Sequence, residues 1–333
     1  MSTKRRKRTH TIVALGLVLV AVAACAVFVG TVWVPPGELL ARGLGGTLGI
    51  RLARVALGIV VGAALSVAGV IFQAVLRNPL AEPYVLGVSS GAGLGAAVAI
   101  LTGWSVVSIW VLPAGAFAGA LLTMLLVERL ARIGGRLPVH ALLLAGVVVG
   151  AICGSLLMFL VSTASMESSR RLHDIVWWLL GNLQISDLSL LAATAGVVAA
   201  GVALASVLSR DLNLMVLGEE PAAHLGLGVE RTKIVFFVLG SMLAGVSVAA
   251  CGLIGFVGLI VPHTMRMILG PDHRTLLPAS ALAGAVFLVA ADTVARTVLA
   301  GSGTELPVGV VTALLGGPFF IALLRKRRAV AWM

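Results

Sequence analysis

Ionisable side chains are scarce in this chain, so the few that stand inside apolar sequence bound the chemistry it could do. Asp292 and Arg296 lie four residues apart in one apolar stretch and can pair on one helix face, and Glu305 follows in the next gap. An ion-coupled carrier places such groups near the bilayer midplane, whereas Asp292 sits nearer one end of its stretch. Cys25, Cys153 and Cys251 each stand alone in apolar surroundings, without metal-ligand or redox spacing, and read as small packing residues. None of the four lysines lies in a G-x-x-x-x-G-K-[ST] phosphate loop, so the chain is not itself an ATPase. No catalytic constellation and no metal-ligand cluster are expected.

The densest internal polar run is 209–233. It holds Arg210, Asp211, Glu219, Glu220, Glu230, Arg231 and Lys233. Within it, 218–226 predicts a short helix, with acidic residues and Pro221 in its first turn and Gly226 at its end. Such a loop either contacts a soluble partner or is plain surface.

The elements that must position these residues are membrane helices. The chain is 59% hydrophobic and 11% charged, against about 25% charged in soluble domains. Apolar blocks near the ~20 residues a bilayer crossing needs lie at 12–34, 52–75, 85–102, 109–128, 139–161, 187–208, 233–251, 253–269, 277–299 and 307–324. With residue 1 inside, 18 of the 24 Lys and Arg fall in inner gaps, which predicts both termini in the cytoplasm. The reading is an all-α polytopic membrane protein: a basic N-terminus over 1–11, one ten-helix domain over 12–324, and a basic C-terminus over 325–333. The net charge of +11 is scattered over helix ends, which fits anchoring to anionic membrane lipid and argues against nucleic acid. Lys4–Arg8 and the run to Cys25 imitate a lipoprotein signal, but apolar residues continue to Val34 and make a full span.

Three further patterns bear on packing. Gly58/Gly62, Gly87/Gly91/Gly95 and Gly115/Gly119 have the four-residue spacing that lets helix backbones approach in lipid. The 162–187 segment carries Trp177 and Trp178 in a stretch too short to span, an interfacial or re-entrant helix whose Trp pair anchors at the headgroups or stacks on a ligand. Gly69, Ile71, Leu76 and Pro79 recur as Gly252, Ile254, Leu259 and Pro262 at a constant offset of 183, a hint of an inverted repeat.

Specific motifs resemble a known family. Arg51-Leu52-Ala53-Arg54-Val55, the run 61–69, Phe72-Gln73 and Arg77-Asn78-Pro79-Leu80-Ala81-Glu82-Pro83-Tyr84-Val85-Leu86-Gly87 are similar to permease subunits of FecCD-type ABC importers for ferric siderophores, haem and cobalamin. So are Gly218-Glu219-Glu220 with Leu225-Gly226, the run 255–263 (GFVGLIVPH), and 305–312 (ELPVGVVT). The resemblance covers about 51–324 and implies the type II ABC importer permease fold of ten helices. It implies a second permease, an identical copy in preference to a different chain, two ATPase subunits that hold ATP and magnesium, and a periplasmic or lipid-anchored binding protein. No cofactor is expected on this chain, and the bacterial cytoplasmic (inner) membrane is the expected location.

By position, the resemblance carries binding-protein docking to Arg51, Arg54 and Arg296, the alternative being that they snorkel to lipid phosphates. It carries the cytoplasmic gate to Asn78, Leu80, Val139 and His140. The last two depart from the small hydroxyl residues of the cobalamin relatives. ATPase coupling falls on Gly218, Glu219, Glu220, Ala222, Leu225 and Gly226. The expected cargo is a metal chelate, a ferric siderophore first, with haem or cobalamin as alternatives and an ion-coupled secondary transporter as the remote one.

Overall fold

The computed structural model describes residues 2–30, 37, 46–164, 169–184, 187–300 and 304–331. Among them run thirteen α-helices: α1 Ser2–Phe28, α2 Thr47–Val75, α3 Val88–Leu101, α4 Val111–Ala131, α5 Val139–Thr163, α6 Ser169–Leu179, α7 Leu188–Val207, α8 Ser209–Met215, α9 Glu219–His224, α10 Val229–Cys251, α11 Val257–Leu269, α12 His273–Thr297 and α13 Val308–Ala331. Ten of these match the ten apolar blocks one for one. Seven are long and apolar enough to cross a membrane, while Val88–Leu101, Val257–Leu269 and Val308–Leu323 are shorter apolar helices. The basic tails expected at both ends continue α1 and α13 as helix.

The bundle is built around α2, whose 29 residues span about 43 Å. It packs against α1, α7, α10, α11 and α12 and is buried along most of its length. Small residues permit this crowding. Gly62 faces Gly284 of α12 backbone to backbone, and Gly91 and Gly95 of α3 interlock with Gly119 and Gly115 of α4. In lipid, where apolar side chains gain nothing from leaving the solvent, such contact replaces the hydrophobic effect as the source of cohesion. Cys25 departs from its expected packing role and lies exposed, while Cys153 and Cys251 are buried.

Of the ten helices that match apolar blocks, two fall furthest short of a ~30 Å hydrocarbon core: α3, at about 21 Å, and α11, at about 20 Å. Each follows a break in the chain. After α2 the chain turns through 76–82 into a 3-10 turn at Pro83–Leu86 before α3 begins. After α10 it is irregular over 252–256. Hydropathy places the second break in an outer gap, but Gly258, two residues beyond it, lies against Leu65 and Gly69, well inside α2. The segment after α6 reaches the same place, since the Asn182 N–H donates to the Cys251 carbonyl at 2.8 Å. The described residues 169–184 thus fold back onto the second break, as a re-entrant segment would. Trp178 packs on the core, and Trp177 stacks on His173.

The internal repeat holds for elements and not for residues. Both halves run long, short, long, long: α2, α3, α4, α5 and α10, α11, α12, α13. The offset of 183 pairs Pro79, in a connection, with Pro262, inside α11, so the residue matches do not trace the repeat. Element spacing differs between the halves because the breaks differ in length.

The glycine contacts make a differential prediction. A Cβ at Gly119 would overlap the Gly91 carbonyl, whereas one at Gly196 on α7 meets nothing. Gly119→Leu should lower the detergent-solubilised unfolding temperature by the equivalent of about 2–3 kcal/mol of overpacking. Gly196→Leu should leave it unchanged.

Candidate functional site

Three polar constellations stand out in an otherwise apolar bundle, one at each end and one between. At the end formed by the start of α2 and the close of α12, Arg54 grips Asp292 with two nitrogens. Its Nε and Nη2 donate at 2.8–3.1 Å, and its Nη1 donates to Glu305 at 2.7 Å. Arg296 pairs with the same carboxylate, Nε to Oδ2 at 3.0 Å, as the four-residue spacing predicts. Arg51 Nη1 donates to the Val27 and Phe28 carbonyls, and Arg296 to those of Ala26 and Val29. These are the carbonyls a helix leaves unpaired at its C-terminus, and cations suit that end of its dipole. Arg51, Arg54 and Arg296 are 7%, 8% and 2% exposed. The structure thus brings the three expected docking arginines together, but with their guanidinium groups already engaged inside the chain.

Between the ends, the two breaks meet and satisfy each other. With no water in the hydrocarbon, the backbone groups freed at a helix break must find partners in protein. The Tyr84 hydroxyl accepts the Ile254 N–H at 3.1 Å, and the Glu82 carboxylate accepts the Phe256 N–H. Phe256 caps α11 at φ 68°, a left-handed conformation that bulky residues rarely hold. Pro262 has no N–H to offer the Gly258 carbonyl four residues back. Gln73 Nε2 donates there at 3.3 Å, and its own carbonyl accepts from Arg266 at 2.9 Å. Glu82, Tyr84, Gln73 and Phe256 stand inside the family-like motifs, where the sequence assigns them no role. A carboxylate and a phenol in an apolar stretch beside two prolines were the signal.

At the opposite end, α9 runs from Glu219 to His224 as expected, with Gly218 before it at φ 119°, where only glycine is at ease. Ala222 is fully buried, while Glu220 and Leu225 are exposed. Gly226, at φ 86°, ends the turn. Glu219 does not face outward alone: its Oε2 pairs with Lys233 at 2.9 Å. Nearby, Asp272 caps α12 and also binds Arg8 at 2.8 Å and Asn213 at 3.1 Å. Partial burial works against that carboxylate, but these hydrogen bonds hold it below its usual range.

The expected gate residues gather in the same region. Asn78 Oδ1 accepts the Leu80 N–H at 3.0 Å and so forms the turn after α2. Val139 opens α5 behind the N-cap Pro138, and His140 beside it is exposed. Leu76 and Ala81 from one side and Leu137 from the other share a single apolar cluster, with Val139 packed on it. Among the described residues, no group of three or more His, Cys, Asp or Glu could hold a metal ion.

Comparisons with known proteins agree with this architecture. Residues 17–326 match the FecCD transport family. The chain is 47% identical over 282 residues to the cobalamin import system permease protein of Halobacterium salinarum, covering 85% of this chain and 74% of that one. It is 41% identical over 285 residues to the hemin transport system permease protein of Yersinia pestis, covering 84% and 83%. A solved ABC transporter assigned to the metal-chelate type, in an inward-facing conformation, superposes with a TM-score of 0.84 at 30% identity, covering 96% of this chain and 99% of that one.

Asp292 serves two arginines, so its charge should matter more than a surface pair. Asp292→Asn should cost about 3–5 kcal/mol, because it leaves buried guanidinium charge uncompensated. Glu128→Gln, which breaks the pair with the exposed Arg132, should cost under about 1 kcal/mol. Chemical denaturation of the purified chain in detergent reads both.

Proposed function

We infer the role of this chain from one premise: it belongs to the FecCD transport family. It is a transport permease of an ABC importer, not an enzyme, and we propose that it passes a metal chelate from a binding protein to the cytoplasm. The observation that carries the ATP-driven reading is α9. This helix is anchored by buried Ala222 but leaves Glu220 and Leu225 exposed, in a chain that has no phosphate loop of its own. An anchored helix with an apolar residue and a carboxylate at its tip fits a groove on a separate ATPase, which would carry the ATP and magnesium. In this reading both termini lie in the cytoplasm, and the chain sits in the cytoplasmic membrane beside a second, identical permease.

The cargo follows from the relatives. Permeases named for cobalamin and hemin are 47% and 41% identical to this chain, so a metal held in a corrin or porphyrin ring is the first choice. A ferric siderophore, the expectation from the breadth of the family, is the second. The docking role of Arg51, Arg54 and Arg296 belongs to the proposal in a form the geometry allows. Arg54 presents one nitrogen to Glu305, whose side chain is 25% exposed. A carboxylate of the binding protein would reach Arg54 by displacing Glu305, while Arg51 and Arg296 hold that edge in place.

Two experiments test this. Cells lacking the chain should lose ATP-dependent uptake of labelled cobalamin, hemin or one ferric siderophore. Normal uptake of all three removes the chelate assignment. Leu225→Asp should weaken association with the ATPase by about 2 kcal/mol, or roughly thirtyfold in affinity, as at an interface anchor. Unchanged co-purification would remove α9 from the interface.

A further inference from the structure

Lys233 is 3% exposed, and an ammonium has three protons to place. Two go to hydrogen-bond acceptors, Glu230 Oε1 at 3.0 Å and the Leu137 carbonyl at 3.1 Å, and Glu219 Oε2 stands at 2.9 Å as a third, ion-pair partner. The three come from three elements: the first residue of α9, the first turn of α10, and the strap that leads into α5. Glu230 closes the circuit, since its other oxygen accepts the Leu137 N–H at 2.8 Å. One residue of that strap thus has both its backbone groups held by the Lys233–Glu230 pair. A long, flexible lysine fixed on three sides is rigid in a way a surface lysine is not.

The strap itself is stiff. Ile133 and Arg136 exchange both backbone hydrogen bonds, at 2.9 and 3.0 Å, around Gly134 and Gly135, which both have positive φ. That is a tight turn with little freedom. Pro138 then caps α5, and Val139 and His140 follow at once. Glu219 and the residue before Pro138 thus meet on one ammonium.

We propose that Lys233 is a positioning residue that joins α9 to the start of α5, so that the α9 surface and the Val139–His140 end of α5 move as one body. This rests on the permease reading above, where α9 meets the ATPase and Val139 and His140 belong to the gate. Exposed Glu220 and Leu225 are left to the partner, and Glu219, expected at the ATPase as well, commits one carboxylate oxygen to Lys233 while its side chain stays 39% exposed.

The test uses the full complex with its ATPase, with spin labels at Ala223 and Arg136, both exposed, on a Cys25→Ser background. Distances are read without nucleotide and after trapping with ATP, magnesium and vanadate, and ATP hydrolysis is measured on the same sample. In the unmodified chain the distance should be narrow and the same in both states. In Lys233→Met it should broaden about twofold, as expected when one rigid body becomes two. Lys233→Arg, which keeps the charge and several donors, should restore part of the narrowing. Should Lys233→Met not assemble, Glu219→Ala removes only the α9 branch, at a side chain 39% exposed, and should broaden the same distance. An unchanged distribution in these variants overturns the proposal, as does an unmodified distance that shifts on trapping. A complex of the unmodified chain that hydrolyses no ATP would instead count against the ATP-driven reading, and the nucleotide-free distances would still decide the linkage.

Discussion

The N–H groups of Ile254 and Phe256 have no helical acceptor, and the break that holds them packs against the middle of α2. Tyr84 and Glu82 supply the oxygens, from a second break in the chain. Each break is thus the partner of the other, and neither is stable alone in hydrocarbon. Much of the architecture follows. Two short helices, α3 and α11, begin where the breaks end, and α2 carries Gly69 where Gly258 comes up against it. Gln73 stands where Pro262 has left a carbonyl without its donor. The polar side chains in the middle of this protein are there to satisfy backbone.

The same economy explains the arginines. An always-charged guanidinium in an apolar bundle is tolerable only when its donors and its charge are both matched. Arg54 meets that condition with two carboxylates, and Arg51 and Arg296 meet it in part with the unpaired carbonyls at the end of α1. The cluster knits α1, α2, α12 and the segment before α13 into one body. Lys233 obeys the same rule at the far end but joins parts differently, because its partners include a short helix with an exposed outer face. One cluster locks helices together; the other links a surface helix to the turn that leads into α5.

The sequence made the ten helices legible because a bilayer demands long apolar blocks and because Lys and Arg mark their ends. The Asp292–Arg296 pair and the 218–226 helix were legible for equally local reasons, a four-residue spacing and turn chemistry. The glycine pairs announced close approach, though not which helices approach. What stayed hidden was non-local. Nothing near Glu82 says that Phe256 needs an acceptor, and nothing near Lys233 names Leu137, 96 residues away along the chain. Hydropathy also read the 252–256 break as a surface gap, since a sheltered break and an exposed one look alike in composition. The offset of 183 failed because a repeat of elements tolerates connections of unequal length.

The two breaks and the two ends are also joined by a single element. α2 begins at the arginine cluster, passes the meeting of the breaks at Gly69 and Gln73, and ends at Leu76, inside the apolar cluster that Val139 packs on. One residue later Arg77 adopts φ 47°, and its guanidinium lies over Gly218, beside the start of α9. A rigid helix some 43 Å long cannot be tilted at one end without moving the other. The residues that line its course are therefore coupled by geometry, whatever the cargo. For an importer that must never be open on both sides at once, a stiff central helix with the paired breaks packed against it is a simple way to make the two mouths answer to each other.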